Sequence, residues 1–379
     1  MERVFVKIIS GFLIIMKIVF LVSHLLSGGA ERTVAYLSKE FAERGAQTTV
    51  LSISDKVFYE TGEGVTLKTL GVKDVYKTVF GKIANIIKRF CRVKSFLKEQ
   101  KPDVVFCMLP ETARYVFHLK KRLAFKLITS ERNYPFGKSK KSYALKEKIF
   151  AASDGVIFQT ERAKECYQES IAKKGVVIQN AVGNPDCYKI KAEPLKEKKF
   201  SAVGRLNAQK DYPTLIKAFA EFGKTYPDYT LEIFGGGKPE ELISLCETLG
   251  VISRVRFCGV EKAVLEKISD STAFILSSAF EGMPNALMEA MAIGLPCISS
   301  DCPFGPRELI NDGVNGILFP VGDHIALASA MKRVAEDKDF ALGLGEKAKQ
   351  ILQANDIKNV SEIFYTYVTN VYEQSDDKT

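Results

Sequence analysis

Short apolar runs alternate with amphipathic stretches along most of this chain. Residues 18–22 form an apolar run of strand length, and residues 33–44 then place Val34, Leu37 and Phe41 at helical spacing. Further runs of strand length lie at 48–53, 103–108, 125–129, 156–160, 176–182, 230–234, 255–258, 273–276 and 316–319. This alternation predicts an α/β protein with parallel sheets.

A charged segment interrupts the alternation. Residues 189–199 are poor in large apolar side chains and contain Pro194, a composition typical of a linker. Since 379 residues exceed one typical hydrophobic core, we expect two doubly wound, Rossmann-like domains. The predicted bounds are 16–190 for the first domain, 191–199 for the linker, 200–355 for the second domain and 356–379 for a C-terminal helix.

The first fifteen residues precede the first predicted strand. A basic residue comes before the apolar run 8–15, as in a signal or anchor segment, but this run is too short to span a bilayer. Lys17 interrupts any extension of it. We therefore expect residues 1–15 to be an N-terminal extension.

The stretch from Ser277 to Ile310 concentrates the candidate chemistry. Glu281 falls in the loop after the apolar run 273–276, and Glu289 falls in the second turn of the helix that begins near Pro284. Ligands bind at this edge of open α/β sheets, and a helix start offers N–H groups to a phosphate. Two hydroxyl acceptors beside donors for oxyanions indicate a nucleotide sugar site, although isolated glutamates of this kind are more often solvated.

The run 281–301, EGMPNALMEAMAIGLPCISSD, resembles the donor-site signature of the retaining glycosyltransferases with the GT-B architecture. That family carries two glutamates separated by seven residues, a spacing that Glu281 and Glu289 match. The resemblance implies two Rossmann-like domains facing a central cleft, with a C-terminal helix that crosses back to the first domain. It also implies glycosyl transfer from a nucleoside diphosphate sugar with retention at the anomeric carbon.

Other motifs resemble further parts of that family. GRLNAQKD, at 204–211, resembles its phosphate loop, which implies that Arg205 and Lys210 hold the diphosphate; by themselves two such cations are ordinarily surface charges. The resemblance assigns Glu281 to the donor sugar hydroxyls and Glu289 to the ribose hydroxyls, and we expect Glu281, Arg205 and Lys210 to carry catalysis. The remaining predicted donor-site residues are Gly28 and Gly29 of a GGAER loop, Gly204, Gly235, Gly236, Gly282, Met283, Pro284, Asn285, Ala286 and Leu287.

The acceptor side is predicted at Glu131, Arg132 and Asn133, after the strand-length run 125–129. Their SERN run resembles a loop in the family branch that extends polyprenyl-diphosphate-linked glycans, but where many relatives have a histidine this chain has Glu131. DCPFGPRE, at 301–308, resembles the same branch, in which UDP-N-acetylhexosamine donors are common. The expected donor is therefore a UDP-hexose or UDP-N-acetylhexosamine, with UDP-GalNAc favoured, and the expected acceptor is a lipid-linked or other glycan.

Composition and charge exclude several classes of site. Eight cysteines without a CxxC pair and three separated histidines argue against structural zinc and favour the cytosol. No metal or other cofactor is expected, since the Asp-x-Asp run 337–339 lies on a charged helix junction. A net charge of +9 permits anionic partners, and we expect no nucleic acid partner.

A basic amphipathic helix is predicted at 77–101. Its apolar positions suit packing on a sheet, whereas its lysines and arginines suit an anionic membrane surface. A second basic cluster consists of Lys138, Lys140, Lys141, Lys146 and Lys148. These clusters predict a cytoplasmic protein, peripheral at the inner face of the plasma membrane.

Three other functions remain open on the sequence. A UDP-sugar 2-epimerase or a glycogen-type synthase of GT-B shape uses similar diphosphate chemistry. A non-catalytic nucleotide-sugar-binding subunit is a different class, which the set of Arg205, Lys210, Glu281 and Glu289 argues against. The chain lacks a GxGxxG fingerprint, which disfavours an oxidoreductase.

Overall fold

The structure, a computed structural model, describes residues 7–9, 12–26, 28–72, 78–136, 139–183 and 193–374. The chain divides into two compact units, one formed by Met1–Gln179 with Val360–Thr379 and the other by Asn180–Asn359. The expected boundary lay later, at 190. The second unit begins earlier because the Asn180 side chain donates to Asn285 Oδ1 at 2.6 Å, while Asn355 Nδ2 donates to the Asn180 carbonyl at 3.1 Å.

The predicted linker lies partly outside the described residues, which resume at residue 193. Its last residue, Lys199, already belongs to a strand and pairs with Thr230. Charge alone therefore did not locate the start of the second sheet, since the Lys199 side chain is tied down by Glu232 and Asp270.

The first unit contains a short antiparallel hairpin and a seven-stranded parallel sheet. The hairpin strands are β1, Lys7–Ile9, and β2, Phe12–Ile14. The sheet strands are β3 (Lys17–Val22), β4 (Gln47–Ser52), β5 (Val65–Thr69), β6 (Val104–Cys107), β7 (Lys126–Glu131), β8 (Gly155–Phe158) and β9 (Gly175–Val177). Their order is β5-β4-β3-β6-β7-β8-β9, so the strand order reverses between β3 and β6. Such a reversal is where open α/β sheets bind ligands.

The helices of this unit that precede the second unit in the chain are α1 (Gly29–Glu43), α2 (Val79–Gln100), α3 (Pro110–Ala113), α4 (Lys120–Leu123), α5 (Lys140–Ala152), α6 (Glu161–Glu165) and α7 (Glu169–Ala172). The first of them begins at the glycine pair itself, earlier than the predicted residue 33. Its N-cap, Gly28, has no side chain that could cap the first amides of the helix.

The second unit is built on a six-stranded parallel sheet. Its strands are β10 (Lys199–Val203), β11 (Thr230–Phe234), β12 (Val255–Gly259), β13 (Ala273–Leu276), β14 (Cys297–Ser300) and β15 (Ile317–Phe319). The order is β12-β11-β10-β13-β14-β15, with the reversal between β10 and β13. Its helices are α8 (Tyr212–Phe222), α9 (Glu240–Thr248), α10 (Val264–Ile268), α11 (Asn285–Ala292), α12 (Pro306–Leu309), α13 (His324–Glu336), α14 (Lys338–Ala348) and α15 (Ile351–Ala354).

The last helix, α16 (Ile357–Glu373), supplies apolar side chains to the core of the first unit. Phe364 lies 6.2 Å from Phe106 of β6, and Tyr365 lies 5.3 Å from Phe41 of α1, measured between ring centroids. The hydroxyl of Tyr367 accepts from the amide of Val156 at 2.9 Å. This helix is thus an integral layer of the first unit.

The basic helix α2 is buried over only part of its length. Val93 and Leu97 are fully buried, as an apolar stripe on a sheet requires. Toward its start, however, Phe80 is 86% exposed and Ile87 is 57% exposed. The apolar stripe was expected to pack on the sheet, whereas apolar side chains in the first turns of α2 are exposed. None of the described helices combines the length and the hydropathy that a membrane-spanning helix requires.

Candidate functional site

The two loops that leave β10 and β13 are joined at the point where the strand order of the second sheet reverses. β10 and β13 are neighbours, and their carboxyl ends lie at the same edge. Ser277 Oγ donates to the carbonyl of Lys210 at 2.8 Å, and the amide of Ala279 donates to the carbonyl of Gln209 at 2.8 Å. These bonds fix the loop that carries Lys210 against the loop that carries Glu281.

Lys210 and Glu281 form an ion pair in this loop junction. Lys210 Nζ lies 2.7 Å from Glu281 Oε1, and Ser278 Oγ donates to the same oxygen at 2.6 Å. The Nε2 of Gln209 lies 3.3 Å from the other oxygen, Oε2. Glu281 is only 6% exposed, so the charge-assisted bonds offset the desolvation of its carboxylate.

The helix start predicted to bind phosphate follows directly. α11 begins at Asn285, with Pro284 as its N-cap and no side chain capping its first amides. Leu287, Met288 and Met291 are buried and hold this helix on the sheet. Its amino end therefore presents backbone N–H groups and the positive end of the helix dipole to a ligand.

Two glycines allow close contacts that a side chain would prevent. A Cβ at Gly204 would lie 2.7 Å from Lys210 Cε, so glycine lets the lysine stem cross the β10 loop on its way to Glu281. Gly305 has a φ of +88°, and a Cβ there would lie 2.6 Å from the carbonyl oxygen of Gly282. Gly305 lies outside the residues that sequence reasoning selected, because this contact joins loops after two different strands.

The remaining predicted donor-site residues of the second unit lie on the loops after β10, β11 and β13 and on α11. Arg205 is exposed in the β10 loop, Glu289 is half-buried on α11, and Met283 is buried. Gly235 and Gly236 follow β11, and Gly235 has a φ of +149° and packs against the backbone of Gly204. The structure thus brings the β10, β11 and β13 loops together around Lys210 and Glu281.

In the first unit, Gly28 is the N-cap of α1 and Gly29 is its first residue. The carboxylate of Glu31 folds over Gly28, where a Cβ would collide with it. Glu31 Oε1 lies 3.2 Å from His24 Nδ1, close to the end of β3. Sequence reasoning singled out neither residue of this pair, and the only signal was the acidic residue in the first turn.

Glu131 occupies a buried network at the end of β7. Its side chain is 1% exposed, and Oε2 accepts from Lys146 Nζ at 2.7 Å and from the Tyr167 hydroxyl at 2.6 Å. The backbone N–H of Asn133 donates to Oε1 of Glu131 at 3.2 Å. Burial raises the pKa of Glu131, and the neighbouring Lys146 ammonium opposes that rise. Glu131 therefore stabilises the loop that follows β7.

Lys146 was predicted to belong to a basic surface cluster, but the structure buries it. Its ammonium also donates to the carbonyls of Tyr134 at 3.2 Å and Pro135 at 3.1 Å, and the residue is buried. A lysine that carries three internal bonds contributes no charge to a membrane surface. Lys138 lies outside the described residues, which leaves Lys140, Lys141 and Lys148 as described members of that cluster.

Arg132 is buried as well. Its Nε donates to Ser130 Oγ at 2.9 Å, and its guanidinium lies 5.4 Å from the ring centroid of Phe364. Burial lowers the pKa of Arg132 to about 10. Of the three residues predicted on the acceptor side, Asn133 is the exposed one.

The Asp-x-Asp run caps a helix. Asp337 is the N-cap of α14, and its carboxylate accepts from the amide of Phe340 at 3.0 Å. Among the described residues, no group of three or more His, Cys, Asp or Glu side chains is placed to hold a metal ion.

Two family models match the chain. The model described as Glycosyl transferases group 1 matches residues 187–351, and the model described as Glycosyltransferase Family 4 matches residues 27–183. The first covers the Lys210 and Glu281 loops, and the second covers the Gly28 and Glu131 loops. Together the two models span most of the chain.

Two characterised relatives are similar in sequence. One is the α-1,4-N-acetyl-D-galactosaminyltransferase of Campylobacter jejuni that acts on GalNAc-α-(1→4)-GalNAc-α-(1→3)-diNAcBac-PP-undecaprenol, 26% identical over 94% of this chain and 99% of the relative. The other is the lipopolysaccharide 1,6-galactosyltransferase of Salmonella typhimurium, 32% identical over 62% of this chain and 66% of the relative.

Two solved structures share the fold. Sucrose-phosphate synthase of Thermosynechococcus elongatus matches with a TM-score of 0.84 at 18% identity, over 95% of this chain and 100% of that one. Anabaena HepE in complex with UDP and glucose matches with a TM-score of 0.81 at 19% identity, over 93% and 99%. The fold prediction is confirmed: the chain belongs to the group 1 glycosyltransferases and has the GT-B fold.

Proposed function

We propose that this glycosyltransferase is a retaining hexosyltransferase that uses a UDP-sugar, with UDP-GalNAc favoured. The acceptor is a polyprenyl-diphosphate-linked or other glycan of surface polysaccharide biosynthesis. The observation that carries the proposal is the Lys210–Glu281 pair beside the amino end of α11. The C. jejuni relative transfers N-acetylgalactosamine to such a lipid-linked glycan, and HepE was solved with UDP and glucose, both of which support this choice.

The charges of the pair suit departure of a diphosphate. An ammonium group has three donors, so Lys210 can keep its bond to Glu281 and still donate to a phosphate oxygen. Arg205 and the first amides of α11 supply further positive charge to the same leaving group. This fixed positive charge stabilises the negative charge that develops as the glycosidic bond breaks, so we propose that the reaction needs neither a metal nor another cofactor.

The carboxylate of Glu281 then holds the donor sugar, and Glu289 holds the ribose hydroxyls. In the proposed reaction the bond from the anomeric carbon to the phosphate oxygen breaks, and the bond to the acceptor oxygen forms on the same face. The acceptor proton passes to the departing diphosphate. Glu281 thus binds and orients, with no role as a general base.

A donor panel tests the proposal. Purified protein is incubated with UDP-GalNAc, UDP-GlcNAc, UDP-galactose, UDP-glucose, GDP-mannose and ADP-glucose, with and without EDTA, and with a membrane lipid extract as acceptor. We expect UDP release and a lengthened glycan, at equal rates with EDTA. Turnover of GDP- or ADP-sugars alone contradicts the donor assignment. A UDP-sugar epimerase interconverts the donor without releasing UDP, a glycogen-type synthase extends glucan without the lipid extract, and a binding subunit does none of these.

We also propose that α2 lies on an anionic membrane surface at the inner face of the plasma membrane. Val79, Phe80, Ile83 and Ile87 form an exposed apolar stripe on this helix. From residue 79 to residue 98 the helix carries six basic residues and no acidic one. Apolar residues beside such charge complement anionic lipid headgroups and the acyl boundary below them.

Vesicle sedimentation tests this placement. We expect binding to phosphatidylglycerol vesicles that weakens at high salt, and weak binding to phosphatidylcholine. The double variant Phe80→Ser/Ile87→Ser should lose most of this binding, whereas Phe58→Ser, at another exposed phenylalanine, should retain it. Loss in Phe58→Ser to the same degree, or no binding by the wild type, contradicts the proposal.

A further inference from the structure

We propose that Phe136 is a stacking platform for a sugar ring of the glycan acceptor. The inference rests on the proposed glycosyl transfer and names a binding residue for its acceptor. Phe136 lies in the loop after β7 and is 46% exposed. Its surroundings are a buried polar network and a stack of aromatic rings.

The loop after β7 lies at the ligand edge of the first sheet. β3, β6 and β7 are parallel neighbours, so their carboxyl ends meet at one edge. The loop after β3 at this edge leads to Gly28 and the start of α1. Phe136 follows the end of β7 by five residues and therefore belongs to the same set of loops.

The ring of Phe136 is supported from one side. It stacks on Tyr143 with centroids 5.7 Å apart and planes at 27°, and Tyr143 stacks on Tyr167 with centroids 5.6 Å apart and planes at 14°. Tyr134 meets Phe136 edge to face at 5.5 Å. Because one face is taken by Tyr143, the exposed area of Phe136 belongs to its other face and its rim.

Hydrogen bonds from a buried side chain fix the backbone that carries this ring. Lys146 Nζ binds the carbonyls of Tyr134 and Pro135, the two residues just before Phe136. Glu131 balances the charge of Lys146, and Tyr167, the base of the ring stack, also binds Glu131. The buried network thus holds an exposed apolar ring in one place at low conformational freedom, which is the condition for a preorganised contact.

The chemistry of this surface fits a sugar. One face of a pyranose ring presents polarised C–H groups, which the negative face of an aromatic ring attracts. Asn133, exposed in the same loop, offers an amide that both donates to and accepts from hydroxyls. Lys140 and Lys141 follow Phe136 closely in the sequence, so the experiment includes contact with an anionic membrane as the outcome that overturns the proposal.

Kinetics with the acceptor in detergent micelles test the platform. With a polyprenyl-linked glycan extract as acceptor, Phe136→Ala should raise the acceptor KM about tenfold or more and leave the donor KM unchanged, whereas Phe136→Tyr should remain near wild type. Leu342→Ala, which removes an exposed apolar side chain on α14, should leave the acceptor KM in micelles unchanged. An unchanged acceptor KM in Phe136→Ala, or equal rises in donor and acceptor KM, overturns the proposal.

Fluorescence separates sugar from lipid. The chain has no tryptophan, so F136W and F80W each introduce a single reporter. We expect oligosaccharide released from the extract by mild acid to shift the emission of F136W alone, and phosphatidylglycerol vesicles to shift that of F80W alone. A shift of F136W with vesicles and none with oligosaccharide overturns the platform in favour of a membrane contact. Failure of the wild type to turn over any donor overturns the proposed function itself, a result distinct from normal transfer by Phe136→Ala.

Discussion

Lys210 Nζ and Glu281 Oε1 are 2.7 Å apart, in side chains that are 16% and 7% exposed. The cation assigned to the diphosphate and the carboxylate assigned to the donor sugar are therefore one charge-paired unit. Each changes the environment of the other, which is a relationship that the separate motifs do not reveal.

Breaking this pair should lower transfer strongly. We expect Lys210→Ala and Glu281→Ala each to lower kcat about 100-fold or more, since one preorganised contact to developing charge contributes about 10²–10³ in rate. Glu281→Gln keeps the side-chain volume and guards against a folding defect. Lys224→Ala, which breaks the exposed pair with Glu221, is the matched control and should retain full turnover. Unchanged turnover in both Lys210→Ala and Glu281→Ala rejects the site.

Ser278 should act through Glu281. It is fully buried and donates to the oxygen that Lys210 also contacts. Hydrogen bonds to charged groups contribute about 1.5–3 kcal/mol, so Ser278→Ala should lower kcat/KM for the donor about tenfold or more. Ser299→Ala removes an equally buried hydroxyl that bonds to the Ser300 carbonyl, outside the ion pair. Equal losses in the two variants, measured by initial rates, would show that buried serines matter here only for the fold.

Gly305 should be needed for its close contact as well as for its φ. Gly305→Ala places a Cβ against the Gly282 carbonyl and should raise the donor KM by displacing the loop before α11. Gly322 has a φ of +78° with nothing within 4 Å, so Gly322→Ala imposes backbone strain alone, about 1–2 kcal/mol. Thermal unfolding and donor titration of both variants separate strain from contact. A donor KM in Gly305→Ala that equals that of Gly322→Ala contradicts this prediction.

The Tyr167 bond to Glu131 should matter most when the carboxyl is ionised. Burial raises the folded-state pKa of Glu131 above its usual value of 4.5. As the pH rises above that usual value, the carboxyl ionises more readily in the unfolded chain than in the folded one, and the free energy of unfolding therefore falls. The Tyr167 hydroxyl opposes this effect by donating to the carboxylate. Tyr167→Phe should therefore cost about 1.5–3 kcal/mol at pH 8 and less at pH 5.

Urea unfolding at the two pH values measures that difference. Tyr143→Phe is its control, because the Tyr143 hydroxyl donates to the Cys166 carbonyl at 2.6 Å and does not contact Glu131. A cost of Tyr167→Phe that does not change with pH would indicate that Glu131 holds the same charge at both values.

The helices and strands of this protein could be predicted from its sequence more readily than the contacts that their residues make. Periodicity predicted α2, but the same spacing places Val93 in the core and Ile87 in solvent. Spacing reports the face of a helix, whereas burial depends on how far the sheet beneath it extends. Lys146 shows the same limit, since its lysine neighbours suggested a surface and only the fold brings Glu131 to it.

The candidate site was predictable to a similar extent. Each loop was located by its motif, and parallel strands guarantee that their carboxyl ends meet. The pairing of Lys210 with Glu281, and the contact of Gly305 with Gly282, join loops distant in the chain. Local patterns carry no signal for such contacts, because they arise from strand order.

The position of α16 has a consequence for synthesis on the ribosome. Phe364 and Tyr365 complete the aromatic core around Phe106 and Phe41, yet they are translated only after the whole second unit. The first unit therefore has an incomplete core while the whole second unit is being synthesised. The core of the first unit is complete only when α16 has been made, so chains truncated before α16 should expose apolar surface and be substrates for chaperones and proteases.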